Sequence, residues 1–329
     1  MLHRRNFLHL AAGAAALPAL SRSAEAQAYP TRSITMVVPV AAGGALDTNA
    51  RLVAEAMRAT LGQVVVVENV TGGGGSTGAT RIARAAPDGY NILYGANVTH
   101  VLNPAVLNVS YDPITDFEPI ALIGNTPWLL AVKNDLPVKT IKELIAWLKA
   151  NPDKGTFGTA GQGSPSHIGG VLFQNVTDTK FQFIPYRGTA PVVPDLVSGQ
   201  IDMAILDPIT SLPQHRAGKI RIIAVMGKKR GSGSQDIPLG DETGAPGVYT
   251  EPWQGMWAPK GTPKDIVAKL NAAVVAGLSD PALRQKFADQ SYELTSRENL
   301  SPEYFAQFIK ADIEKWWPII KAAGIKAGG

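Results

Sequence analysis

Residues Ile34 to Arg51, ITMVVPVAAGGALDTNAR, constrain the fold more than any other stretch of this chain. Ile34 to Val38 is apolar and β-branched and stops at Pro39, which reads as a strand. After a small-residue turn with Gly43 and Gly44, apolar side chains recur at Leu46, Ala50, Val53, Ala54 and Met57. That is the spacing of one helix face, with Asp47 and Thr48 near its start. Strand, glycine turn and helix in this order leave the first N–H groups of the helix uncovered, at the positive end of its dipole. An anion can be held there without lysine or arginine. The same residues also suit plain packing, with glycine for a tight turn and Asp or Thr as a cap, and the stretch alone does not choose.

The alternation continues. Val64 to Glu68 reads as a strand, Gly72 to Gly75 as a turn, Ser76 to Ala86 as an alanine-rich helix and Tyr90 to Gly95 as a third strand. This order predicts a parallel sheet with right-handed crossovers. Asn103 to Pro119 reads as a loop, and Phe117 to Gly124 and Trp128 to Lys133 as strands. Beyond Pro137, Thr140 caps a helix with an apolar stripe of Ile141, Leu144, Ile145 and Leu148. The pattern then restarts: strand Thr156 to Thr159, loop Ala160 to Ser166, helix His167 to Val176, strand Gln182 to Ile184, helix Pro191 to Ser198, strand Ile201 to Leu206. That is a second sheet domain. Its first turn repeats the opening logic, with glycines and hydroxyls at a helix start and His167 beside them. Lys219 to Met226 is another strand, and the polar stretch Lys228 to Thr243 reads as a surface excursion. After Trp253 to Pro259 the chain is helical over Pro263–Leu278, Pro281–Gln290 and Pro302–Ala323. A helical tail with few strands is expected to fold back onto the first lobe, so that the chain crosses between lobes near Pro127 and near Trp253.

The 329 residues, 45% of them hydrophobic, suffice for two domains with cores of their own. Residues 1 to 28 differ from the rest. Arg4 and Arg5 precede the apolar run LHLAAGAAALPAL and the small residues Ala24 to Ala28, the composition of an export signal. HRRNFLHL resembles the twin-arginine pattern, and an ordinary secretory leader is the alternative. No cysteine is available for a lipid anchor, and no later apolar run approaches the ~18 residues of a membrane span, so a soluble periplasmic protein is expected. Loss of the leader removes Arg4, Arg5, Arg22 and Glu25 and lowers the net charge from +4 to +2. A charge this small does not argue for nucleic acid or membrane binding. The absence of cysteine excludes disulfides and thiolate metal sites, and no His or carboxylate spacing suggests another metal site.

The segment TGGGGSTG, Thr71 to Gly78, matches three catalytic patterns in part. Gly73, Gly75 and Gly78 fit the dinucleotide fingerprint, but the acidic residue expected about 20 positions on is missing. Gly74, Ser76 and Gly78 fit a nucleophile elbow, with Asp207 and His215 in hydrolase order, yet too little sheet precedes it. A phosphate loop needs a lysine that is absent. A glycine-rich helix entrance at the same sheet edge as the first remains.

Taken together, the residues resemble the periplasmic tripartite tricarboxylate transporter receptors, also called Bug proteins, over essentially all of the chain after the leader. The matching segments include Tyr29-Pro30 with Arg32, Val38-Pro39 with Gly43-Gly44 and Asp47, Ala50-Arg51, and Glu68-Asn69 with Gly72 to Gly78. They continue through Pro87-Asp88-Gly89-Tyr90, Tyr111-Asp112-Pro113, Gly158 with Gly161, Gly163-Ser164 and His167, Pro185-Tyr186-Arg187-Gly188, and Ala258-Pro259 with Gly261-Thr262-Pro263. The family often has proline at Ala42 and a Pro-Thr pair at Pro238-Leu239. The resemblance implies an α/β fold of two Rossmann-like lobes joined by two crossover strands, the Venus-flytrap arrangement of type II periplasmic binding proteins. The lobes would span 29–127 and 128–252, with 253–329 returning to the first. It further implies a receptor without cofactor and not an enzyme, acting as a monomer that closes on a mono-, di- or tricarboxylate or an aromatic carboxylate. Ala41, Ala42, Gly43, Gly44 and Asp47 would bind from one lobe, and Thr159, Gly163, Ser164, His167 and Asp207 from the other. Delivery would be to membrane permease subunits. A ligand-presenting sensory partner and a serine hydrolase using Ser76, Asp207 and His215 are the alternatives.

Overall fold

The computed structural model describes residues 29–322, 324 and 325, so the expected export leader lies outside the described residues. The opening unit is β1 (Ile34–Val38) and α1 (Ala45–Leu61). Helix α1 buries Leu46, Ala50, Val53, Ala54, Met57 and Leu61 on one face and ends at Gly62, whose left-handed φ of 67° lets its N–H reach Arg58 O. It is followed by β2 (Val65–Asn69), α2 (Ser76–Ala83), β3 (Asn91–Ala96), a π-helical turn at Val98–Leu102, α3 (Asn103–Val106) and β4 (Phe117–Asn125). The second lobe contains β5 (Trp128–Lys133), α4 (Ile141–Ala150), β6 (Thr156–Thr159), α5 (Pro165–Thr177), β7 (Gln182–Pro185), α6 (Val192–Ser198), β8 (Met203–Leu206), α7 (Pro208–Arg216), β9 (Ile220–Met226) and α8 (Gly240–Thr243). Strand β10 (Trp253–Pro259), α9 (Lys264–Leu278), α10 (Pro281–Asp289), β11 (Glu293–Leu294) and α11 (Pro302–Ala322) complete the chain. No single helix among the described residues is long and apolar enough to cross a membrane.

Two sheets result, in the orders β11-β4-β10-β3-β1-β2 and β7-β6-β8-β5-β9. Strand β1 pairs parallel with β2 and β3, and β6 parallel with β7 and β8. A wholly parallel sheet is not what forms, because β10 runs antiparallel to β3 and β4, and β5 antiparallel to β8 and β9. The reason is the direction of entry. Each of these strands comes from the opposite lobe and therefore enters its sheet at the carboxyl edge of the parallel strands. The two connections lie side by side, with Thr126 N–H donating to Pro252 O at 3.1 Å and Trp128 N–H to Thr250 O at 2.9 Å.

Helices α1 and α9 cover one face of the first sheet in a core that includes Met57, Leu270 and Val274. Helix α11 covers the other through Phe305, Ile309 and Ile313, packed with Trp257. Other local departures have packing causes. The stretch after Asn103 opens as a helix, not a loop, because Leu102 and Val106 are drawn into the Trp257 core. The excursion from Lys228 is anchored: Gly233 N–H donates to Ser291 Oγ at 2.9 Å, and Ser234 is fully buried. Helix α5 starts two residues before His167, at Pro165, with Ser164 as its cap.

Candidate functional site

Because β1, β2 and β3 are parallel, their carboxyl ends bring three turns to one sheet edge, where open α/β sheets bind ligands. The first turn is Ala41 to Gly44, all four residues exposed. Gly43 has φ of 89°, a conformation that disfavours other residues. Gly44 is the N-cap of α1 and no side chain caps that helix, so its first-turn donors are left to a ligand or solvent. The second is the run Gly72 to Gly75, four consecutive glycines at positive φ leading to the equally uncapped start of α2. The third follows β3 through Asn97 and the π-helical turn. Contacts tie them together: Gly75 lies against Pro39 and Thr99, and Asn103 Nδ2 donates to Gly74 O at 2.9 Å.

Asp47 is 3% exposed and its carboxylate is fully engaged inside the protein. It accepts from Gly43 N–H at 2.9 Å, from Arg51 Nε at 3.1 Å and Nη2 at 3.0 Å, and from Asn69 Nδ2 at 2.9 Å. Asn69 Nδ2 also donates to Val40 O at 3.0 Å. Burial alone would raise the Asp47 pKa, but these bonds outweigh it and hold the carboxyl below its usual range. Asp47 therefore shapes the turn, with Asn69 and Arg51 as partners that the sequence reading left outside the site.

On the second lobe, the turn after β6 satisfies most of its own groups. Ala160 N–H donates to Ser166 Oγ at 2.8 Å, Gly161 N–H to Thr159 Oγ1 at 3.4 Å and Gly163 N–H to His167 Nδ1 at 3.1 Å. Ser164 Oγ accepts from His167 N–H at 3.3 Å. Since Nδ1 accepts, the neutral ring carries its proton on Nε2; burial lowers the His167 pKa and favours that neutral form. Asp207, 4% exposed, caps α7 by accepting from Thr210 N–H at 2.9 Å and Thr210 Oγ1 at 3.0 Å. Thr159, Gly163, Ser164 and His167 are thus gathered in one turn, with Asp207 at the end of the neighbouring strand β8. The lobes meet beside it: a Cβ on Gly163 would stand 2.9 Å from Val106 Cγ2.

The hydrolase arrangement does not form. Ser76 donates to Gly73 O, the Asp207 carboxylate accepts from Thr210, and His215 Nδ1 accepts from Ile222 N–H at 3.3 Å. A cavity of about 510 Å³ lies beside the connections, between Lys228, Glu251, Glu293, Tyr304, Asp312 and Trp316, and none of the glycine-turn residues lines it.

The family model for the tripartite tricarboxylate transporter family receptor matches residues 49–325. The chain belongs to that family. Its members are solute-binding receptors and not enzymes. Among solved structures, the periplasmic binding protein BugD is 39% identical, with a TM-score of 0.82 over 91% of this chain and 99% of that one. Rpa4515 of R. palustris, solved with adipate, is 34% identical, with a TM-score of 0.84 over 91% and 99%. MatC from Rhodopseudomonas palustris, solved with bound malate, is 35% identical, with a TM-score of 0.82 over 89% and 100%. These likenesses extend over both lobes, and the receptor fold is that of the type II periplasmic binding proteins.

Proposed function

We propose that this receptor captures a small organic carboxylate between its lobes in the periplasm and delivers it to the membrane permease of a tripartite tricarboxylate-type transporter. The observation that carries the reading is the pair of uncapped helix entrances, α1 and α2, side by side at one sheet edge of a family whose neighbours hold adipate and malate. Ala41, Ala42 and Gly44 present backbone donors to a carboxylate there, Gly43 supplies the bend at positive φ, and Asp47, which takes the Gly43 N–H, positions the turn. Thr159, Gly163, Ser164 and His167 supply the facing wall, and Asp207 fixes the start of α7 behind it. Donors aimed at a charged acceptor contribute roughly 1.5–3 kcal/mol each, so three or four suffice for the ~8 kcal/mol of a micromolar complex.

A thermal-shift screen over malate, adipate, tricarboxylates and aromatic carboxylates tests this. A ligand at 100 times its Kd adds about 2.7 kcal/mol, and at least one of these compounds is expected to raise the unfolding temperature while its methyl ester does not. Stabilisation by the ester and the acid alike would overturn the assignment of the helix entrances as carboxylate donors.

A further inference from the structure

Two residues that each carry a buried, unpartnered polar atom line one small space between the lobes. Asn97, 6% exposed, follows β3 in the first lobe; Thr250, 4% exposed, stands where the second connection leaves the second lobe, held by its N–H to Met226 O at 2.7 Å. Neither Asn97 Oδ1 nor Thr250 Oγ1 has a hydrogen-bond partner among the described residues. Both residues line a small cavity of about 20 Å³, together with Pro165, Ile168, Gly169 and Trp316. That volume is about what one water molecule requires, and a buried water needs at least two polar partners. Unpaired buried groups of this kind are costly and normally satisfied.

Gly169 points the same way. It lies inside α5 with no positive φ, so its backbone does not require glycine, and glycine in a helix interior is unfavourable. A Cβ there would stand 2.4 Å from Thr250 Oγ1. The missing side chain keeps room for that hydroxyl. Nearby, Ile168 joins Leu102 and Val106 of the first lobe in one apolar cluster, so the space sits at the seam where α5 rests on the first lobe.

We propose that Asn97 and Thr250 form a lobe-bridging site for one ordered water, which accepts from the Thr250 hydroxyl and donates to Asn97 Oδ1, and that this bridge favours the lobe arrangement seen here. The inference concerns the protein without ligand and holds whichever carboxylate the cleft takes. Its test is a high-resolution crystal structure of the ligand-free chain, with solution scattering of the same protein. One water within hydrogen-bonding distance of both atoms is expected. An empty space, a direct bond between the two residues, or lobes so far apart that the atoms no longer face each other would overturn the bridge. In scattering, Thr250→Val, which keeps the shape but removes the hydroxyl, and Gly169→Ala, which crowds it, are expected to enlarge the radius of gyration. Thr250→Ser is expected to retain the wild-type value. Equal radii for all four proteins, each shown to be folded by circular dichroism, would overturn the effect on lobe arrangement.

Discussion

Asp47 gathers four N–H donors at one carboxylate, two of them from Arg51, and removing it takes that acceptor from Arg51, Asn69 and the Gly43 N–H, while Asn69 keeps its bond to Val40 O and Arg51 its bond to Asn69. Asp47→Ala is therefore expected to cost about 1–3 kcal/mol in urea unfolding and to weaken carboxylate binding at least tenfold. A variant that loses stability but binds as before would remove Asp47 from the site. His100 allows a second residue-level prediction. It is fully buried, stacked on Trp257 at 3.7 Å between ring centroids, and burial pushes its pKa down to about 3. An unfolded histidine takes up a proton near pH 6.5 and the folded one does not. Stability is thus complete above that pH and falls between about 6.5 and 3 as acid favours the unfolded chain. At pH 4.5 the loss from this residue is about 2–3 kcal/mol, so His100→Phe is expected to show a shallower drop between pH 7.5 and 4.5. Parallel curves for the two proteins would contradict it. The caps of the second lobe were legible in principle, since Ser164 with His167 and Asp207 with Thr210 have the spacing of an N-cap and its third helical residue. The bond that Asn69 donates to Asp47, 22 positions away, had no such local signature.

Among the elements, strands and helices followed the sequence closely because their apolar periods are local properties. Strand direction did not, since the antiparallel entry of β5 and β10 depends on which lobe the chain has just left. The glycine turns show the same division. At Gly43 the positive φ of 89° demands glycine while a Cβ would touch nothing; at Gly163 a φ of 72° coincides with the approach to Val106 of the other lobe. Gly43→Ala is expected to carry only the backbone cost, about 1–3 kcal/mol, with no relief from a second substitution. Gly163→Ala adds a clash across the seam, and Val106→Ala should relieve it. A double-mutant cycle on stability is expected to give a coupling of about 0.5–2 kcal/mol for Gly163 with Val106. A coupling near zero would mean that the lobes yield freely at this point.

For the molecule as a whole, two connections side by side and a tail that returns to the first sheet leave hinge closure as the motion open to it. Ligand is expected to reduce the radius of gyration in solution scattering, and an unchanged value at saturation would exclude closure from a wider free state. Closure also governs how binding responds to salt. Residues 29–329 carry a net charge of +2, the chain's +4 less three arginines and one glutamate of the leader, too little for long-range steering. Arg51, on the helix that the first turn opens, is already paired with Asp47. Attraction of the ligand then rests on short-range backbone donors, and ions screen a closed cleft far less than an exposed pair. Raising salt from about 0.05 to 0.5 M should therefore change the affinity of the best carboxylate from the thermal screen by less than about threefold. Calorimetric titrations at the two concentrations decide it. A loss of tenfold or more would show that an exposed cation, with Arg187 beside the second-lobe turn the first to test by Arg187→Gln, reaches the bound carboxylate.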